Sequence, residues 1–314
     1  MKDSIKTMLV ENTADDMRDV FLRCDAGLLE RAREIRIRQG LPLVVRGDTG
    51  EFFVGREGDK HRRADVAFRP TAAHIATMLS KFANHSLYAY DAEIKSGYIT
   101  IAGGHRVGIA GRVTVEDGRI KTIKHISGLS IRVARQVLGA ADGIMPMITR
   151  GGLRNTIIVS PPGCGKTTML RDLVRQLSNG GFNVAVVDER SEIGGCHMGV
   201  AQNDLGPRTD VLDAAPKAAG MMLVLRALSP QVVAVDEIGG GQDVVAIENM
   251  AGCGVAVICT IHGKNMADLQ RRPVLAPLLA NGVFERYIFL TDKPAPGSVC
   301  GIYNEKLEGI GHGF

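Results

Sequence analysis

At 314 residues, and with domains running roughly 100 to 200 residues each, the chain has room for two domains with cores of their own. Apolar residues make up 45% and charged residues 23%, which excludes wholesale disorder; 4% aromatics and no Trp leave little material for stacking single-stranded nucleic acid. The formal charge is +4, from 38 basic and 34 acidic residues, but seven Lys/Arg face two Asp/Glu between Gly104 and Arg135, so that window carries +5 and the remainder −1. No apolar run reaches the ~18 residues of a membrane span, and the start of the chain (Lys2, Asp3, Lys6, Glu11) lacks the apolar segment of a signal peptide. A cytoplasmic protein is expected. The six cysteines form no Cys-x-x-Cys pair, so reduced thiols are expected, and Cys196 beside His197 has no second pair with which to hold a metal.

The first half, residues 1–138, reads as a small α+β domain. Alternation marks a strand at Glu34–Arg38, and Thr71 is the N-cap of a helix running to Phe82 with Ile75, Met78, Leu79 and Phe82 on one face. A strand follows at Tyr98–Ile101, then a hairpin of Val107–Val115 and Ile120–Ile126 around Asp117-Gly118. Residues 139–150 are expected to form a linker helix, Ala140–Thr149, interrupted at Pro146. From residue 151 to 314 short apolar runs alternate with helical segments, the pattern of a mostly parallel sheet in an α/β domain. The expected strands are Thr156–Val159, Asn183–Val187, Val232–Val235, Val255–Thr260 and Arg286–Leu290. Helices are expected at about Lys166–Leu177, Lys217–Leu228, Asp243–Ala251 and Asn265–Arg271.

The strongest motif, Ser160-Pro161-Pro162-Gly163-Cys164-Gly165-Lys166-Thr167-Thr168, lies between an expected strand and an expected helix. That is the setting of a P-loop. Gly163 and Gly165 let backbone N–H groups turn in around a phosphate, Lys166 neutralises β/γ oxygens, and the Thr167 hydroxyl is placed for Mg²⁺. Ser160 stands where the pattern usually opens with glycine, which serine tolerates if its φ is negative. Downstream, the apolar run Gln231–Val235 ends in Asp236 and Glu237, a Walker B strand: Asp236 for the water shell of Mg²⁺, Glu237 to orient or deprotonate the attacking water. Asp188-Glu189-Arg190-Ser191-Glu192 ends the second strand, where open α/β sheets bind ligands. Glu189 or Glu192 can share the water-activating role, and a solvated loop explains the same acids. Thr260-Ile261-His262 ends another strand, and Thr260 or His262 suits a γ-phosphate sensor.

This order of motifs resembles the secretion ATPases of type II and type IV systems and the pilus motors, with residues 188–192 at the acidic box and 260–262 at the histidine box. The sequence departs at Asp236, where that group commonly has Gly before Glu. Strings such as Glu34-Ile-Arg-Ile-Arg38, Gly103–Arg112, His125–Arg135 and Gly206–Asp213 are similar, over nearly the whole chain, to a sporulation family of endospore-forming bacteria within the same group. The resemblance implies a RecA-like P-loop domain that uses ATP and Mg²⁺, assembled as a homo-oligomer, a hexameric ring. It implies a peripheral ATPase of the mother-cell cytoplasm, at the membrane around the forespore. There the protein would energise or help assemble a channel, with membrane channel proteins of the sporulation secretion complex as partners. Ring ATPases complete charge neutralisation with arginines supplied in trans, and the basic window offers Arg106, Arg112, Arg132 and Arg135, with Arg112 first and Arg106 or Arg135 next.

Two other readings compete. P-loop proteins of similar core also act on nucleic acid, but the added nucleic-acid-binding domain of some photosynthetic relatives has no counterpart in the sequence to Phe314, so no nucleic acid is expected. A nucleotide-gated scaffold with slow turnover is disfavoured by Glu237 and the Thr-x-His box.

Overall fold

The computed structural model describes residues 4–48, 50–86 and 90–311; the outer ends of the two expected domains, residues 1–3 and 312–314, lie outside the described residues. The chain divides into two compact units, Met1–Arg135 and Gln136–Phe314.

The first unit opens with three short helices, α1 (Ile5–Asn12), α2 (Asp15–Arg23) and α3 (Ala26–Glu30). Ser4 Oγ and Asp25 Oδ1 cap the first and third by accepting the N–H of Thr7 at 3.1 Å and of Leu28 at 2.8 Å, donors that a helix start otherwise leaves unpaired. There follow β1 (Ala32–Arg38), β2 (Val44–Gly47), β3 (Gly50–Val54), β4 (Lys60–His61), α4 (Ala72–Phe82), α5 (Asp91–Lys95), β5 (Tyr98–Ile101), β6 (His105–Glu116) and β7 (Arg119–Arg132). The strands form one antiparallel sheet in the order β4-β3-β2-β1-β7-β6-β5.

Because side chains alternate across a strand, Ile35, Ile37, Val45, Val107, Leu129 and Ile131 enter a core shared with Met17, Phe21, Ile75, Met78 and Phe82. The other face collects charge. Arg46, Glu34, Arg132 and Arg106 stand in register on adjacent strands, so two arginines of the basic window line up with Arg46 and Glu34 in one row across a sheet face. In α4, His74 replaces the usual acid of a capping box. Its backbone N–H donates to Thr71 Oγ1 at 3.3 Å, its ring Nδ1 accepts the Thr71 N–H at 3.1 Å, and Nε2 then donates to Asp16 at 2.8 Å.

The second unit contains α6 (Met145–Thr149), β8 (Thr156–Ser160), α7 (Lys166–Asn179), β9 (Val184–Asp188), β10 (Thr209–Asp213), α8 (Lys217–Ala227), β11 (Val232–Val235), α9 (Gly241–Gly252), β12 (Ala256–His262), α10 (Met266–Gln270), α11 (Ala276–Ala280), β13 (Arg286–Thr291), β14 (Ser298–Tyr303) and β15 (Gly309–Gly311). The sheet order is β10-β9-β11-β12-β8-β13-β14-β15, parallel from β10 to β13 and antiparallel from there to β15. Strands β8, β9, β11, β12 and β13 are buried on both faces, which is why they read as continuous apolar runs. Alternate residues feed two cores. Val159, Val187, Val235 and Cys259 pack with Met221, Val224, Ile247 and Met250 of α8 and α9, whereas Ile158, Val186, Ala234 and Ile258 pack with Met169, Leu170, Leu173 and Leu177 of α7.

The expected helix at 140–149 is reduced to Met145–Thr149, with Ala140–Ile144 in turns. Pro146 does not interrupt it but sits in its first turn, where a missing N–H costs no helical bond and the fixed φ suits the start.

Candidate nucleotide site

The ends of β8, β9, β11 and β12 deliver Ser160, Asp188, Asp236 and His262 to one edge of the second sheet. Ser160 has no positive φ, whereas Gly163 at +78° and Gly165 at +87° do, so serine is tolerated at the head of the loop and glycine is required within it. Gly165 is the N-cap of α7 and Lys166 its first residue, which points the free N–H groups and positive end of a 14-residue helix into the loop. A Cβ on Gly165 would lie 3.1 Å from the Gly297 nitrogen, and Gly297 N–H donates to Cys164 O at 3.0 Å. The turn between β13 and β14 thus packs directly on the loop. Cys164 is buried, with Sγ 3.8 Å from Pro162 O.

Lys166 is buried, and burial pulls its ammonium below the usual value against the opposing pull of Glu237 and Asp236. Its Nζ donates to Ser160 O and Pro161 O, both at 3.3 Å, and to His262 Nδ1 at 2.9 Å. An ammonium can only donate, so Nδ1 accepts and the ring proton sits on Nε2, which lies 2.8 Å from Glu237 Oε1. Lys166, His262 and Glu237 form one chain of hydrogen bonds. Arg190 NH1 reaches the other Glu237 oxygen at 3.5 Å. Glu237 itself has φ +47°, a left-handed turn at the strand end that a non-glycine residue adopts at a cost.

Thr167 Oγ1 donates to Asp236 Oδ2 at 2.8 Å, and Thr260 Oγ1 donates to Asp236 Oδ1 while accepting the Glu237 N–H at 2.9 Å. Thr260 is fully buried. It fixes the two acids rather than facing a phosphate, so of the two sensor candidates the geometry leaves His262. The all-oxygen pair Thr167 and Asp236 fits Mg²⁺, which keeps waters and phosphate oxygens instead of an all-protein cage.

A small polar pocket brings the acidic box to the same place, lined by Asp188, Glu189, Arg190, Glu192, Lys217, Asp236 and Glu237. Glu189 is ion-paired with Lys217. Asp188 is almost fully buried and accepts the backbone N–H groups of Glu192, Ile193 and Gly194 at 2.9, 2.9 and 2.8 Å; burial pushes its carboxyl up to about 6. Its work is to shape the loop, and Glu192 of the same box lines the pocket beside Asp236 and Glu237. Lys217, which the motif reading missed, carries no pattern in the sequence that announces it.

The four candidate arginines from the basic window differ in the first unit. Arg135 NH2 is spent on Glu30 O and Ala32 O at 2.9 and 3.0 Å, and the Arg106 guanidinium lies 3.4 Å from the centroid of the Tyr98 ring, a cation–π contact. Arg112 and Arg132 are exposed. Gly111, beside Arg112, sits at a register shift where a Cβ would come within 2.7 Å of Lys124 O.

The family model for sporulation stage III, protein AA, matches residues 2–310. The chain belongs to that family. Within it, stage III sporulation protein AA of Bacillus subtilis (strain 168) is 44% identical over 245 residues, covering 76% of this chain and 80% of the relative. In fold, this member of the family is similar to the pilus retraction motor PilT with bound ADP, at TM-score 0.56 and 15% identity over 84% of this chain and 75% of that one. It is also similar to the Legionella pneumophila ATPase DotB, at TM-score 0.52 and 16% identity over 82% and 72%. The α/β fold is that of the P-loop secretion ATPases. Among the described residues no helix is long and apolar enough to cross a membrane.

Proposed function

We propose that the chain is an ATP hydrolase, a motor that energises or helps assemble the channel complex between mother cell and forespore. The observation that carries the reading is the junction of two hydrogen-bonded chains, Lys166–His262–Glu237 and Thr167–Asp236–Thr260, at the start of α7. A phosphate cradle, a metal-binding oxygen pair and a positioned carboxylate meet there, and a structural turn needs none of the three together. The ADP bound to the pilus motor of similar fold supports a nucleotide ligand for this chain.

When bound, Mg²⁺ would supply charge neutralisation at the β- and γ-phosphates, held through Thr167 and the water shell of Asp236. Lys166 leaves His262 for the phosphate oxygens, and the freed Nδ1 faces the site. Glu237, oriented through Nε2 of His262, accepts a proton from the attacking water, and Glu192 shares the ordering of that water. Arg112 and Arg132, exposed on the first unit, serve a neighbouring subunit in a ring, while Arg135 and Arg106 hold their own unit together.

The test is turnover of ATP by the purified chain, with and without DNA and with and without acidic lipid. Turnover that acidic lipid raises or leaves unchanged supports the motor; stimulation by DNA alone moves the assignment to a nucleic-acid-binding ATPase, which the arginine row on the first sheet favours. Absence of turnover under all four conditions refutes both.

A further inference from the structure

The loop after β9 is held from two sides. The Asp188 carboxylate takes its N–H groups, as described, and the guanidinium of Arg171 on α7 takes its carbonyls. Arg171 Nε donates to Ile193 O at 2.9 Å and NH2 to Glu192 O at 2.6 Å. Asn203 Nδ2 adds a second donor to Ile193 O at 2.8 Å.

Burial pulls the Arg171 guanidinium below its usual value. Half-buried, it is directed at two backbone carbonyls, and the nearby carboxylates of Asp188, Asp236 and Glu192 oppose the cost of that burial. A planar fork spans two acceptors at once, which a lysine ammonium on a flexible stem does not. Arg171 also stands four residues after Thr167 on α7, hence on the same face one turn along. One helix therefore fixes both acidic strand ends: Asp236 through Thr167, and the acidic loop through Arg171.

We propose that Arg171 is the positioning residue for Glu192, so that the P-loop helix itself sets where the acidic loop meets the pocket of Asp236 and Glu237. The proposal rests on the ATP-hydrolase reading and names a further part of the same site.

The experiment uses the full chain carrying Arg171→Lys, read by amide hydrogen exchange across residues 189–194, by affinity for a fluorescent ATP analogue, and by steady-state turnover. Faster exchange in the loop is expected, with affinity within about threefold and kcat lowered about tenfold or more, the scale on which a misplaced group costs rate. In a Glu192→Gln background the same substitution should cost no further rate. A loss that persists in full in that background, an affinity loss with kcat preserved, or a loosened loop with unchanged kcat each overturns the assignment. If Arg171→Lys does not fold, Asn203→Ala removes the other donor to Ile193 O. It should give a smaller loss with the same dependence on Glu192, and an additive loss overturns the proposal. Should the unmutated chain lack turnover, the hydrolase reading fails on that result alone. Exchange still decides the strut: unaltered protection in the Arg171→Lys chain refutes it.

Discussion

Lys166 and His262 are hydrogen-bonded to each other, Nζ to Nδ1 at 2.9 Å. The residue that would grip phosphate and the residue that would sense it are thus in contact with each other, and phosphate oxygens would compete with His262 for Lys166. Lys166→Ala should weaken Mg·ATP binding about 10²-fold or more, since a hydrogen bond to a charged group is worth about 3 kcal/mol at the upper end. Titration with a fluorescent nucleotide measures it. Unchanged affinity together with unchanged turnover removes the P-loop from the account.

Glu237→Gln should leave Mg·ATP binding nearly intact and slow hydrolysis about 10²-fold or more, the scale of a positioned general base. Single-turnover phosphate release reads this directly. Turnover that survives in Glu237→Gln but stops in Glu192→Gln transfers the base to the acidic box.

Arg112→Ala and Lys166→Ala, each inactive alone, should regain activity when mixed, because a ring of both subunits contains some interfaces with an intact loop and an intact arginine. Arg132→Ala should behave alike. Arg135→Ala should instead lower the thermal midpoint of the chain, as its bonds are to Glu30 and Ala32 within the first unit. If mixed assemblies form by gel filtration and no ratio restores turnover, Arg112 acts within its own subunit or serves structure.

Asp188 gives a pH dependence of definite sign. Burial raises its folded-state value from 3.8 to about 6, so between those limits the folded chain keeps a proton that the unfolded chain has released. Its contribution to stability therefore falls as pH rises from about 4 to about 6 and is level above. Asp188→Asn, which keeps one acceptor oxygen, should flatten that slope in urea midpoints recorded across the window. An identical slope in both proteins rejects the assignment.

The parallel core was legible because burial on both faces writes strands as uninterrupted Val and Ile runs, and the cap at Thr71 because a hydroxyl before an amphipathic stretch has few other uses. The strands missed in the second sheet lack those marks. In β10, Thr209–Asp213, most residues are only half-buried, and β14 and β15 follow Pro294, Pro296 and Gly297 in a stretch that reads as loop. The site was legible as residue types in order. Which acid does what was not: Asp188 and Glu189 look alike in a string, and only the fold shows one capping its own loop and the other tied to Lys217. Thr260 misled for the same reason, since a hydroxyl at a strand tip does not declare whether it points to ligand or to its neighbours.

The left-handed backbone of Glu237 means that evolution of this site runs against the grain of the fold. A non-glycine residue in that conformation costs the native state about 1 kcal/mol, so Glu237→Gly would relieve strain while deleting the carboxylate. A screen for thermal robustness without a screen for turnover would therefore drift toward glycine at 237, selecting a hardier chain without the carboxylate that the proposed hydrolysis needs.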